Sequence, residues 1–428
     1  MRLLILSALV MAASCVNCGL ATGLDVDGTI VVSDAGGGVD AGSPDASVLV
    51  WPNEVSTTNS DRWLVEHHDE VQRLEPRVLV VNFVAGRDAG ELRSRIDTLV
   101  AAYAEGSRYH GMDEPQAPVF LQYRISHFAD LAGQPTRTND GGAFGYDEFV
   151  RGQAFADKVA FPSDAGRALT MCELFERGLI NEAWVIEPAA DPAKLFETKT
   201  RGQRYDTNFN ALPGRFDRCA GNGCMPDIAC GVTVRLQEIN PDRGPGCMVH
   251  AAGHAIEGQL QANTVPWFTT NASRFFMFDF RTRYGTTFPS FYVCPYSGER
   301  GCMERPAIDR ARSLPDSGVS FDLQTGVGCG NVHFAPHSRG HYDMEEPSAG
   351  VTGLATCRGY GLGAGDGGTD ATELIDYSVY RTLNRNRAYS DCGGGWQIYL
   401  RQSMPGLGNR AKDTMGRPMK NWWPFLFY

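Results

Sequence analysis

The sequence predicts an α/β fold, with a mixed or largely parallel sheet and helices, followed by a loop-rich, disulfide-braced C-terminal third. Three observations carry this expectation. Arg77–Val84 is a mostly apolar run rich in β-branched residues, as expected of a strand buried on both faces. It is followed by a segment of helical period and then by a second strand-like run, the order of a parallel α/β unit. Beyond about residue 261 the pattern gives way to Gly-rich stretches, aromatic clusters and locally grouped Cys.

The elements follow in chain order. In Glu91–Ala104, Leu92, Ile96, Leu99, Val100 and Tyr103 recur at helical spacing and predict an amphipathic helix. Val119–Phe128 reads as a strand, Ala168–Arg177 as a helix closed by Gly178, and Glu182–Ile186 as a further strand. Cys230–Ile239, with Val232, Val234 and Leu236 alternating, is another strand. The Pro/Gly loop 241–246 then leads into a helix from Cys247 to about Gln261. The last nine residues, Lys420–Tyr428, are too aromatic for a frayed tail and are expected to pack on the core, the other reading being an exposed aromatic binding surface.

The N-terminus sets the compartment. Met1-Arg2, an apolar run from Leu3 to Ala13 and then Ser14-Cys15 have the order of a secretory signal peptide, and the run is too short for a membrane span. Ala12-Ala13-Ser14-Cys15 resembles the lipobox of bacterial lipoproteins, departing from it at Ala12, where that family usually has Leu. The resemblance implies lipidation of Cys15 and anchorage to a membrane, and Val16 points to the outer membrane. From Ser33 to Ser47 every residue except Val39 is Asp, Ala, Gly, Ser or Pro, a composition that cannot offset its chain entropy by burial. This spacer resembles those of myxobacterial surface lipoproteins. The expected organisation is a signal peptide over 1–14, a lipidated N-terminus and flexible spacer over 15–50, and one large α/β region over 51–428, with any subdivision near 265.

The chain has 428 residues, 39 basic and 50 acidic side chains, and a formal charge of −11 with no basic run, which makes nucleic acid a poor partner. Twelve Cys in an exported chain point to disulfides rather than thiolate metal sites. Cys294 with Cys302, and one bridge among Cys219, Cys224 and Cys230, are the expected local pairs. Cys172 reads as a buried thiol. Cys247, at the head of a helix, offers a minor nucleophile reading.

Five of the nine His fall in two short segments. In Met248–Gly258, His254 lies about 40° around the helix from His250, and Glu257 about 20° to the other side, so all three share one face. The helix is otherwise apolar nearly all round, which points that polar stripe into a buried site that needs a metal or a tight polar network. The second segment, Gly330–Asp343, adds His333, His337 and His341. The expected ligands are His254, Glu257 and His333, with His250 as a fourth. The expected ion is a divalent metal, Zn²⁺ foremost. His341 and Asp343 are candidates for a general base. His67 and His68 read as surface residues, and His110 and His127 as ordinary ones. Gly361–Gly368 reads as a flexible loop, within which Asp366, together with Asp370, offers a weak Ca²⁺ reading.

His254-x-x-Glu257 followed by a distant His resembles the ligand set of zinc carboxypeptidases, over three residues only. No residue here matches that family's catalytic Glu or its substrate-carboxylate Arg. The resemblance implies a metal-activated water. The chain is therefore expected to be an exported metal-dependent hydrolase of peptide or cell-wall-type amides. The rival expectation is a non-catalytic surface lipoprotein that binds glycan or protein, with its His/Glu cluster structural.

Overall fold

The computed structural model describes residues 48–133, 146–187, 197–222, 224–225, 228–276, 328–333, 335–337, 344–345, 353–363 and 370–428. The signal peptide, Cys15, the spacer, Cys294, Cys302, His341, Asp343 and Asp366 lie outside those residues.

Ten strands are described: β1 Val50–Trp51, β2 Arg73–Leu74, β3 Arg77–Asn82, β4 Arg124–Asp130, β5 Glu182–Ile186, β6 Thr198–Tyr205, β7 Ala211–Asp217, β8 Val234–Ile239, β9 Gly353–Ala355 and β10 Glu373–Ile375. The α-helices are α1 Arg62–Glu66, α2 Ala89–Gly106, α3 Tyr146–Arg151, α4 Gln153–Val159, α5 Met171–Glu176, α6 Pro245–Ala262, α7 Pro266–Phe276, α8 Tyr377–Leu383 and α9 Gly394–Ser403. The central sheet has six strands in the order β4-β3-β5-β8-β6-β7. β4, β3, β5 and β8 run parallel, and β6 and β7 join antiparallel at one side. The expected α/β class, with a mixed and mostly parallel sheet, is what the chain adopts.

β3 and β5 are largely apolar because both faces are covered. Val78, Val80, Trp184, Ile186 and Ile239 pack with α2, α6 and the C-terminal aromatics. Leu79, Val81, Ala183, Val185, Val234 and Leu236 pack with α5 on the other face. Period-two alternation is therefore absent from β3 and β5, as expected of interior parallel strands. Local signals set the helix starts. Asp88 caps α2 by accepting from the Glu91 amide, and Thr170 with Glu173 forms a reciprocal capping box on α5. Pro245 opens α6, two residues before the expected start.

Several expectations are corrected. The hairpin β6–β7 is absent from the sequence reading because Thr198–Tyr205 is mostly polar and shows no apolar alternation. Two of its buried polar side chains find partners within the hairpin: Gln203 Nε2 donates to the carbonyls of Arg204 and Leu212 at 2.8 Å, and the Arg201 guanidinium lies 3.6 Å from the centre of the Phe216 ring. The expected strand over 119–128 joins the central sheet from Arg124 on, while Leu121 makes a single parallel bridge to Leu74. Within the described residues of the C-terminal third, α8 and α9 stand among loops and turns. α9 opens on glycines and is buried on every side, Gln397, Arg401 and Gln402 included, so it has no amphipathic stripe to reveal it.

Four disulfides are present among the described residues: Cys172–Cys230, Cys219–Cys224, Cys247–Cys392 and Cys329–Cys357. Cys219–Cys224 is the local pair expected. Cys172 is not a free thiol, because the fold brings it to Cys230 across 58 residues. Cys247 is likewise bridged, which removes it as a nucleophile. His68 is not a surface residue. It is buried, with Nδ1 against the Tyr428 hydroxyl and Nε2 2.7 Å from the Asn421 carbonyl. That contact belongs to the C-terminal segment, in which Trp422, Trp423, Phe425, Phe427 and Tyr428 are all buried. The Phe427 ring centre lies 5.2 Å from that of Trp51, and the tail packs on the core as expected.

Candidate metal centre

The centre is assembled on α6. This helix follows β8, so its first turns stand at the carboxyl ends of the parallel strands, where open α/β sheets place their sites. No residue of α6 itself caps its N-terminus. Asp391, far along the chain, accepts from the amides of Gly246 at 2.9 Å and Cys247 at 3.1 Å. The Cys247–Cys392 bridge sits beside that cap and ties the first turn of α6 to the segment leading into α9.

His250 and His254 are one helical turn apart on α6, with ring centres 5.0 Å apart. His333 arrives from the loop beginning at Gly328. Its ring stacks on His250 at 5.0 Å and lies edge-on to His254 at 5.1 Å. All three are buried, and one ligand atom from each lies within 4.8 Å of the others, so the cluster could hold a metal ion.

The loop carrying His333 is held at several points. Cys329–Cys357 pins its start, and Glu257 Oε1 accepts from the Val332 amide at 2.6 Å. Gln397 Nε2 on α9 donates to the Val332 carbonyl, and Trp396 Nε1 to that of Asn331, each at 3.0 Å. Gly253 makes this approach possible. A Cβ there would lie 2.5 Å from Gln397 Oε1 and 2.8 Å from Val332 Cγ2. Glu257, expected as a ligand, uses Oε1 to hold the loop that delivers His333, while its Oε2 is buried without a hydrogen-bond partner. His250, expected as the fourth ligand, is one of the three.

Glu197, which the sequence does not point to, joins Glu257 in setting the charge around the cluster. Glu197, immediately before β6, places Oε2 2.9 Å from His254 Nε2. Burial pushes the Glu197 carboxyl up, but His254, His250 and Arg243 outweigh it and hold the group at about 2. For His254, burial opposes the charged ring and Glu197 favours it, with a net upward shift. Burial lifts the Glu257 carboxyl to about 7. Glu197 has no sequence signature of its own. It reaches His254 only because β6 runs antiparallel to β8, with Thr198 opposite Gln237.

His337 does not join the cluster. It is buried elsewhere, with Nε2 2.8 Å from the Met344 carbonyl and its ring stacked on Tyr380. His127 bonds the Val159 carbonyl at 3.1 Å. Asp370 is ion-paired with Arg274 at 2.7 Å. The second convergent group, Cys247, Asp391 and Cys392, is a disulfide and a helix cap.

Fold and site together define an α/β protein with a buried three-histidine cluster at the carboxyl ends of its parallel strands. No protein-family model matches the chain, and no curated protein matches it. The four disulfides are consistent with an extracellular or periplasmic protein, and no helix of the described residues is long and apolar enough to cross a membrane.

Proposed function

We propose that this chain is an exported metal-dependent hydrolase of peptide or cell-wall-type amides, held at a membrane through a lipid on Cys15. The observation that carries the reading is the convergence of His250, His254 and His333 in a buried site. Three neutral imidazoles suit Zn²⁺ and leave a coordination position open. A divalent ion there lowers the pKa of a water and polarises a scissile carbonyl. His250 and His254 are fixed by the helix, and His333 by its braced loop. Glu197 orients the His254 ring and supplies a compensating negative charge. Proton transfer falls to His341 or Asp343, which follow His333 closely in the chain.

The non-catalytic alternative relied on exposed aromatics. The C-terminal aromatic residues Trp422, Trp423, Phe425, Phe427 and Tyr428 are buried, and the exposed large hydrophobic residues among those described are Val48, Val55, Leu362, Leu374 and Met415.

The test is elemental analysis of gently purified chain alongside amide-hydrolysis assays on peptides and murein fragments. About one zinc-like ion per chain is expected, lost in His254→Ala and His333→Ala, with chelator-sensitive hydrolysis that zinc restores. Asp343→Asn and His341→Ala should retain the ion, and substitution of the true base should cut kcat by about a hundredfold or more. Metal-free protein would overturn the metal reading, and bound metal with no hydrolysis would overturn the enzyme reading. Fatty-acid labelling that survives Cys15→Ser would overturn the anchor.

A further inference from the structure

We propose that Glu187, Glu197 and Glu238 form a second cation site beside the three-histidine cluster, one that takes a hard divalent ion of the Mn²⁺, Mg²⁺ or Ca²⁺ class through oxygen ligands. The backbone brings the three residues together at the carboxyl ends of β5 and β8. The Glu187 amide donates to the Ile239 carbonyl at 3.3 Å, and the Glu238 amide to the Glu197 carbonyl at 3.1 Å. Val185 lies opposite Glu238 across the parallel pair, so Glu187, two residues on, extends from the same face of the sheet as Glu238.

The observation pointing to a ligand is Glu238 itself. It is 5% exposed, and neither carboxylate oxygen has a hydrogen-bond partner. Several other buried acids among the described residues each have at least one partner. Glu182 meets Arg235 and the Tyr123 hydroxyl, Asp370 meets Arg274, Asp413 meets Arg417, and Glu257 has the Val332 amide. An ionised carboxylate left bare in the interior costs far more than any packing gain there, so Glu238 must be either neutralised by a proton or faced by a cation.

Space and donors favour the cation. Glu238 lines a cavity of about 20 Å³ together with Glu197, Asn240, Arg243, Met248 and Ala251. That volume holds about one water-sized occupant. Glu238 and Glu197 line that cavity and Glu187 extends from the same face of the sheet, so the three carboxylates supply the hard donors such an ion takes. Arg243, 3.9 Å from Glu197, lines the wall, and Lys199 also acts on Glu238; against three ionised carboxylates these two positive side chains leave the group net negative. The three carboxylates are not among the groups whose ligand atoms lie within 4.8 Å of one another, so an ion would gather them by side-chain rotation, displacing the protons that burial favours. Burial, with Glu187 and Glu197 close by, pushes the Glu238 carboxyl up to about 9, and burial lifts Glu187 to about 7. Glu197, already against His254, lies between the two centres and couples them.

The site stands on its own donors and does not depend on the hydrolase reading. The test is Mn²⁺ titration of the purified full chain, followed by electron paramagnetic resonance, with and without prior zinc loading. Wild type should bind one Mn²⁺ per chain saturably and rise in Tm on binding. Glu238→Gln, which mimics the protonated side chain and so leaves the fold intact, should weaken binding at least about tenfold and abolish the Tm rise, as should Glu187→Gln. His333→Ala should lose zinc and retain Mn²⁺. Absence of saturable Mn²⁺ binding, wild-type affinity in both Glu variants, or loss of Mn²⁺ in His333→Ala would overturn the second site. Failure of the histidine site would register separately, as zinc content unchanged in His254→Ala.

Discussion

Gly253 shows how one residue couples packing to the site. By helix propensity alone, Gly253→Ala should stabilise an interior helical position by about 1 kcal/mol. Here the added methyl enters space held by Gln397 Oε1 and Val332 Cγ2, so overpacking reverses the sign. We expect a net loss of about 1–3 kcal/mol in urea denaturation and weaker zinc binding, because the displaced strand of chain carries His333. An unchanged or raised urea midpoint would mean that the loop has room to yield. The same scale explains what the sequence revealed about the site. His250 and His254 were legible from their helical spacing, since period 3.6 places them on one face. The role of Glu257 was not, because a carboxylate on that face can ligate an ion or hold a backbone amide, and only the position of Val332 distinguishes the two. Glu238 did carry a signal: an acid inside a buried strand, Val234–Ile239, is anomalous wherever it occurs.

At the scale of elements, α6 depends on distant chain for its N-terminus. It begins Gly244-Pro245-Gly246 with no side-chain cap of its own, and Asp391 with the Cys247–Cys392 bridge supplies the missing constraint. Its other end lies close to the sheet edge, where a Cβ on Gly258 would meet Gly221 backbone atoms at 2.6 Å. Replacing both Cys247 and Cys392 with Ala should cost about 2–4 kcal/mol of stability. It should also lower zinc affinity, since the first His is less than one turn beyond Cys247. Equal zinc affinity in the double variant would show that Asp391 alone fixes the helix start. β3, α2, β5 and α6 were readable as elements because each has a continuous or periodic apolar pattern. The hairpin β6–β7 and helix α9 were not, because β6 and α9 bury polar side chains, Gln203 held within its own hairpin and Gln397 and Arg401 by carbonyls far away in sequence.

At the scale of the molecule, the C-terminal segment closes one side of the core. Phe425, Phe427 and Tyr428 pack among Trp51, His68, Tyr205 and Phe268, and the Asn421 carbonyl and the Tyr428 hydroxyl both engage His68. Burial, reinforced by Lys420, lowers the His68 ring to about 4 from an ordinary 6.5. Between those values the unfolded chain binds a proton that the folded chain does not. Stability from this group is therefore full above about pH 6.5 and is lost as pH falls toward 4. His68→Gln should flatten the stability–pH profile in that window by up to about 1.4 kcal/mol per pH unit, measured by urea denaturation at fixed ionic strength. An unaltered slope would mean that the ring is protonated in the folded chain and that its neighbours adapt.

The sequence by itself determined the α/β class, the main parallel strands, the His-bearing helix and the reliance on disulfides. These rest on local information: apolar run length, helical period, and the count and setting of Cys. Tertiary structure alone decided that Cys172 meets Cys230 and Cys247 meets Cys392, that His68 is interior, and that His333 completes a cluster with His250 and His254. It also placed Glu197 on His254 and left Glu238 bare beside a small cavity. Each of these depends on contacts between residues far apart in the chain. Such contacts are set by sheet order, loop closure and the mutual burial of polar groups, for which no single stretch of sequence carries a period.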